Sequence, residues 1–160
     1  MSMTVYLAGY INGSVIEECI AWRKKIRLHY ENWKGGQGYP IEFLDPLNGE
    51  SLGVISSDGN KGCFPPQMVV HKDYTCVSKS DLIVANMDTF GEARPPIGTL
   101  CEVVWAYDLR KSVILISNNE HYTEHPFLKY FSSIIVSSVE ELLEKKVLNS
   151  FYKSWHSAQY

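Results

Sequence analysis

Short, uninterrupted apolar runs alternate along this chain with longer segments whose apolar positions recur every three or four residues. Thr4-Val5-Tyr6-Leu7-Ala8, closed by Gly9, is the first run, and Ile41–Leu44, stopped by Asp45-Pro46, is the second. Residues 81–86, Ser112–Ile116 and 133–136 follow. Most carry apolar side chains on both faces rather than on alternate positions, which predicts strands buried on both sides. Between them, Val15, Ile16, Cys19, Ile20, Trp22 and Ile26 predict a helix over about 14–31, with Ser14 as its N-cap and Glu17 three residues on. Residues 66–79 and 98–110 predict two more helices. A last helix, capped by Ser137 or Ser138, runs through about residue 149 and can continue toward Trp155.

Strands alternating with helices predict an α/β protein: a flavodoxin-like, doubly wound, five-stranded parallel sheet of order 2-1-3-4-5, forming a single domain over residues 1–160. Ligands of such sheets bind outside the carboxyl ends of the strands. The loops there span 9–13, 45–65, 86–98 and 117–126, so the site is expected from them. The stretch 48–66 is rich in Gly, Ser, Asp, Asn and Pro. Its length inside a compact domain favours a substrate-covering loop over a plain surface excursion.

Composition narrows the classes. The chain has 160 residues, 45% hydrophobic and 21% charged, with a formal net charge of −3, ordinary for one globular domain. No run of like charge suggests a nucleic-acid or membrane surface. The basic cluster Arg23-Lys24-Lys25, with Arg27, reads as a solvated helix face. No apolar stretch reaches the roughly 18 residues of a membrane span, and no basic segment precedes an apolar core at the N-terminus, so no signal peptide is expected. Cys19, Cys63, Cys76 and Cys101 are scattered and form no C-x-x-C pair. They read as free thiols of a cytoplasmic protein, and neither a metal nor an organic cofactor is expected.

Two carboxylates stand out by placement. Asp73 lies among Val69, Val70, Cys76 and Val77 on the apolar stripe of its helix, where a charge is costly unless paired or functional. Glu102 falls in the first turn of the helix after the third strand, at the rim of the expected crevice. Thr99-x-x-Glu102 also matches a capping box, with Thr99 as N-cap, and that spacing recurs at Ser14/Glu17 and Ser138/Glu141. Gly9-Tyr10-Ile11-Asn12-Gly13-Ser14 is not a dinucleotide fingerprint, and no Walker loop, H-E-x-x-H or G-x-S-x-G occurs. Gly13 and Ser14 can still present helix N-terminal amides to an anion.

Taken in order, Tyr6-Leu7-Ala8-Gly9, Asp45-Pro46, Asp73, Ser80-Asp81-Leu82-Ile83-Val84-Ala85-Asn86, Gly98-Thr99-Leu100-Cys101-Glu102-Val103-Val104-Trp105-Ala106 and Lys111-Ser112-Val113-Ile114 resemble the nucleoside 2-deoxyribosyltransferase family, which includes related deoxynucleoside monophosphate N-glycosidases. The likeness spans roughly residues 4–116. It implies Glu102 as the nucleophile on the sugar, Asp73 as an active-site acid near base and sugar, and Tyr6 as the residue that positions the nucleophile. Asn86 and Asp88 are implied contacts to base or sugar. Asn118 or Asn119 is implied to serve a neighbouring subunit, and Tyr160 to lie near such a subunit's site. Gly9, Asn12, Asp45, Arg94, Gly98 and Thr99 complete the candidate substrate contacts, Arg94 through a 5′-phosphate. The chain departs from the pattern at Pro96, where nucleoside-processing members carry aspartate and nucleotide hydrolases serine.

The implied activity is transfer of 2-deoxyribose between bases through a covalent glutamyl sugar, with base hydrolysis of a deoxynucleoside monophosphate, or non-catalytic nucleotide binding, as alternatives. The partners are a small deoxynucleoside or deoxynucleotide, a free nucleobase and a second copy of the chain in a homodimer or larger homo-oligomer. The aromatics Phe151, Tyr152, Trp155 and Tyr160 form either a subunit interface or the packing of the last helix on its own domain.

Overall fold

The computed structural model describes residues 2–33, 40–47 and 65–158. Five parallel strands form one sheet: β1 (Met3–Gly9), β2 (Ile41–Leu44), β3 (Leu82–Asn86), β4 (Ser112–Ile116) and β5 (Ile134–Val136), in the order β2-β1-β3-β4-β5. This is the doubly wound arrangement expected from the apolar runs. The helices are α1 (Ile16–Tyr30), α2 (Pro66–Lys79), α3 (Ile97–Asp108), α4 (Glu120–Thr123), α5 (Pro126–Phe131), α6 (Val139–Glu144) and α7 (Val147–Ser157). Among the described residues, no helix is long and apolar enough to cross a membrane.

Alternation along β1 divides the core. Met3, Val5 and Leu7 join Trp22, Ile26 and Tyr30 of α1 and Leu142, Leu148 and Tyr152 of α6 and α7 in one cluster. Tyr6 and Ala8 point the other way and join Val77 of α2, Val103 and Ala106 of α3 and Leu128 of α5. Period-two alternation makes this partition obligatory once β1 sits inside a two-faced sheet. Register aligns the carboxyl ends: Gly9 pairs with Asn86, Asn86 with Ile116, and Ile116 with Val136. The loops that follow these residues therefore emerge along one edge.

Several local expectations are corrected. The helix expected from Ser14 opens with a single 3₁₀ turn, Gly13–Val15, and its cap is Asn12, whose Oδ1 accepts from the Ser14 amide at 3.0 Å. Ser14 Oγ instead donates to Asn12 Oδ1 and to Glu92 Oε1. The first-turn amide is thus occupied and a carboxylate stands beside it, which argues against anion binding at Gly13 and Ser14. The helix α3 begins at Ile97, with Pro96 in the cap position, so Thr99 lies inside its first turn and does not cap it. The expected loop 117–126 contains α4, capped by Asn119, and runs into α5. The last helix is two, because Lys146 adopts a left-handed conformation (φ 51°) between α6 and α7. Ser138 does cap α6, accepting from the Glu141 amide.

The basic cluster of α1 is not wholly a solvated face. Arg23 is fully buried. Lys24 and Lys25 are exposed, and Lys25 pairs with Glu140. The C-terminal aromatics Phe151, Tyr152 and Trp155 pack on their own domain, Tyr152 meeting Trp33 edge-on with ring centroids 4.9 Å apart. Cys19, Cys76 and Cys101 are free thiols. Tyr160, Cys63 and nearly all of the expected 48–66 loop lie outside the described residues.

Candidate active site

The core of the site is a hydrogen bond between two buried side chains from distant parts of the chain. Tyr6, on the α2/α3 face of β1, donates its hydroxyl to Glu102 Oε1 at 2.6 Å. Tyr6 is 1% exposed and Glu102 5%. Glu102 is therefore not a capping residue. Its carboxylate faces β1, and the Thr99-x-x-Glu102 spacing is incidental to its role.

Asp73 reaches the same neighbourhood from α2, which packs on α3 with Tyr74 edge-on to Trp105 at 5.4 Å. Asp73 is half-buried, although Val69 and Val70 beside it are exposed. The apolar stripe thus shields the carboxylate only from its carboxyl-terminal side, where Cys76 and Val77 turn inward.

Burial dominates the electrostatics. It pushes Glu102 up to about 8 from an ordinary 4.5; the Asp73 charge pushes the same way, and the Tyr6 hydrogen bond and the Arg23 charge oppose it. Burial likewise raises Asp73 above the usual carboxylate range, against the pull of Lys72 and Arg23. Tyr6 is held far above its ordinary value by burial first, and then by the Glu102 and Asp73 charges, so it stays a donor. The three form an acid cluster whose protons bind more tightly than in water. Among the described residues the hydrogen bond to the Glu102 carboxylate is the one from Tyr6, and it engages Oε1.

Behind β1, on the opposite face, Arg23 donates to three backbone carbonyls: Cys19 O at 2.7 Å, Gly9 O at 3.0 Å and Leu7 O at 3.2 Å. Its Nε lies 3.7 Å from Asp45 Oδ1, and Arg27 Nε lies 3.2 Å from Asp45 Oδ2. Asp45 Oδ1 also accepts from the Leu47 amide. The structure therefore engages Asp45 with α1 and its own loop. Gly9 has a packing reason as well: a Cβ there would stand 2.7 Å from Trp22 Cζ2 and 3.2 Å from Arg23 Nη2.

The remaining candidates gather elsewhere. Asn86, Asp88, Arg94 and Asn118 line one cavity of about 670 Å³ at the carboxyl ends of β3, β4 and β5, walled by Trp22 and Lys25 of α1 and by Glu140 of α6. Asn86 Oδ1 accepts from the Asp88 amide, and Asp88 Oδ1 from the Phe90 amide, which shapes the loop through its left-handed turn at Phe90 and Gly91. Asn12 joins Tyr10 by a hydrogen bond of 3.0 Å at the end of β1. Gly98 is exposed and Thr99 buried in the first turn of α3. The cavity is not lined by Tyr6, Asp73 or Glu102. The acid cluster, where proton affinities are perturbed and a hydrogen bond already joins Tyr6 and Glu102, is the candidate reacting centre.

Sequence reading missed Arg23 as part of this region. The available signal was its register: Cys19, Trp22, Arg23, Ile26 and Tyr30 form one buried stripe on α1. The same stripe argument that singled out Asp73 applies to it.

The sequence matches no family model and no curated protein. Solved structures do share the fold. A CMP N-glycosidase of Clostridium botulinum, BcmB, superposes with a TM-score of 0.53 at 19% identity, over 91% of this chain and 98% of that one. A 2-desoxiribosyltransferase from Leishmania mexicana superposes with a TM-score of 0.52, also at 19% identity, over 75% of this chain and 71% of that one. At this identity the likeness establishes a common fold.

Proposed function

We propose that this chain breaks the N-glycosidic bond of a 2′-deoxynucleoside or its 5′-monophosphate, with Glu102 as nucleophile, and passes the sugar to a second base. The observation that carries the reading is the Tyr6–Glu102 hydrogen bond of 2.6 Å on a buried acid, with Asp73 acting on the same carboxylate. Support also comes from the fold shared with an N-glycosidase and a deoxyribosyltransferase.

Cleavage at C1′ builds oxocarbenium-like positive charge on the sugar. A carboxylate in a poorly solvated site stabilises that charge strongly. Tyr6 holds Oε1, and Oε2 bonds to C1′ as the bond from C1′ to the base nitrogen breaks. The bonding pair leaves with the base. Asp73, protonated more readily than an ordinary aspartate, supplies a proton or hydrogen bond to the departing ring nitrogen. A second base gives its ring-nitrogen proton to the Asp73 carboxylate and attacks C1′ of the glutamyl sugar ester from the face the first base left. The C1′–Oε2 pair returns to Glu102, so both displacements use the same two acids. No step calls for a metal or organic cofactor.

A second reading, hydrolysis of a nucleoside monophosphate, is favoured by the superposition on almost the whole length of a CMP N-glycosidase. In that case water resolves the ester. Arg94 and Asn118, in the cavity beyond Asn86, are the candidate contacts to the far end of the substrate.

The test is incubation with deoxynucleosides and their monophosphates, with and without a second free base, followed by chromatography. Exchange of bases supports transfer. Release of base alone, unaffected by the added base, supports hydrolysis. Wild-type turnover by Glu102→Gln sinks both. Ligand binding without turnover by the wild-type protein leaves a nucleotide-binding protein.

A further inference from the structure

We propose that Arg23 is a positioning residue for the Glu102 reaction: its buried guanidinium, clamped behind β1 and held in check by Asp45, sets the field in which the Tyr6–Glu102 pair works. This rests on the reading of Glu102 as nucleophile.

The geometry is specific. Arg23 is fully buried in mid-helix on α1, yet among the described residues its hydrogen bonds go to backbone oxygens, two of them on β1 at Leu7 and Gly9. Those carbonyls bracket Ala8 and follow directly on Tyr6, so the clamp fixes the stretch of β1 that presents the Tyr6 hydroxyl. A lysine has no fork of donors to hold several carbonyls at once. The charge itself is only partly neutralised. Asp45 stands 3.7 Å from Nε and is shared with Arg27, whose side chain is 32% exposed.

A poorly solvated charge is weakly screened, so its field crosses a strand. The groups that act on Glu102 are Tyr6 on β1, Asp73 on α2 and Arg23 on α1, and the Glu102 charge in turn helps raise the Cys76 thiol of α2. Among these described groups Arg23 is the cation. It favours the ionised Glu102 and opposes the burial that favours the acid. Asp45, lying against the guanidinium, moderates that help.

This wiring makes a prediction of opposite signs. Removing the Arg23 charge should raise the pH at which Glu102 ionises. Removing the Asp45 charge leaves Arg23 and Arg27 less compensated and should lower it. A merely structural role would damage both variants alike. The experiment is carboxyl NMR of the ligand-free full chain labelled at its glutamate side chains, with the Glu102 signal identified by its loss in Glu102→Gln. The midpoint is followed in wild type, Arg23→Met, Arg23→Lys and Asp45→Asn.

The expected result is a midpoint above wild type in Arg23→Met, near wild type in Arg23→Lys and below it in Asp45→Asn. An unmoved midpoint in folded Arg23→Met, or shifts of the same sign in Arg23→Met and Asp45→Asn, overturns the proposal. If Arg23→Met does not fold, Arg23→Lys and Asp45→Asn decide, and an Asp45→Asn midpoint at or above wild type overturns it. The titration needs no substrate, so midpoints that move as expected in a protein inert toward deoxynucleosides would sink the functional reading and leave this one standing. Turnover with unmoved midpoints would do the reverse.

Discussion

Tyr6 and Glu102, 96 positions apart in sequence, meet in a hydrogen bond of 2.6 Å from the phenol to Oε1. A phenol so placed holds one carboxylate oxygen and leaves the other for chemistry. Tyr6→Phe keeps the ring in its apolar setting and removes only this bond. A hydrogen bond to a charged group contributes about 1.5–3 kcal/mol, so kcat is expected to fall by roughly ten- to a hundredfold. Glu102 should also ionise at higher pH, because the bond that favours its charged form is gone. Steady-state rates across pH check both; a variant with wild-type kcat and an unmoved acid limb would remove Tyr6 from the machinery.

Glu102 itself sets the pH dependence. With its proton held up to about 8, Glu102 must ionise while Asp73 must keep its proton, so kcat/KM of the free protein should pass through a bell, with loss of the Asp73 proton giving the falling limb. Stability follows the opposite course. The folded pKa lies above the unfolded 4.5, so the contribution of Glu102 is fully present below about 4.5 and is lost as pH rises through about 8. Glu102→Gln, neutral at every pH, should therefore be more stable than wild type at pH 9, by on the order of a few kcal/mol, and close to it at pH 4. Urea unfolding of both proteins at the two pH values measures this. Equal differences at both would show that Glu102 is not a strained buried acid.

Asp73 is expected to act on the leaving base. Asp73→Asn should lower kcat on a natural deoxynucleoside by about a hundred- to ten-thousandfold, the usual range for a lost general acid. An aryl 2-deoxyriboside with a strongly acidic phenol leaves without help, so its rate should fall far less. Equal losses on the two substrates would assign Asp73 to binding.

Gly9 is fixed by packing. Its missing Cβ would overlap Trp22 Cζ2 at 2.7 Å, and the indole, packed in the core cluster on β1, would have to shift toward the cavity it borders. Gly9→Ala should cost about 1–3 kcal/mol, the range for overpacking a core. A thermal midpoint equal to that of wild type would show that α1 can shift away.

Much of the scaffold was legible because burial on two faces writes itself as unbroken apolar runs. All five strands and their order follow from that pattern, and α2 lies at 66–79 as expected. Short elements were harder. The helix α5 has six residues, PFLKYF, too few for helical periodicity to separate from a loop, and the boundary at Lys146 rests on one left-handed residue with no glycine to announce it.

The site was legible where a residue broke the stripe of its own element, as Asp73 does. Glu102 could not be told from a capping glutamate by spacing, since the deciding contact crosses from α3 to β1. Arg23 was hidden for another reason: its neighbours Lys24 and Lys25 are solvated, and a local run of charge averages over residues that a helix sends in different directions. Loop position brought Asn86, Asp88, Arg94 and Asn118 together as candidates, and they do line one cavity, but that position did not reveal that Tyr6, Asp73 and Glu102 are not in its lining.

The alternation of β1 has a consequence for how the chain tolerates change. Tyr6 faces Glu102, while the cation behind the strand bonds to the strand's backbone from the other side. With Gly9 held by Arg23, a single-residue deletion between Tyr6 and Gly9 would turn the phenol toward α1 and bring the aliphatic Val5 to Glu102. Substitutions in this strand can be graded one at a time, but a change in its length is all or nothing, and for that reason the N-terminal strand is the poorest place in this protein to insert, trim or graft.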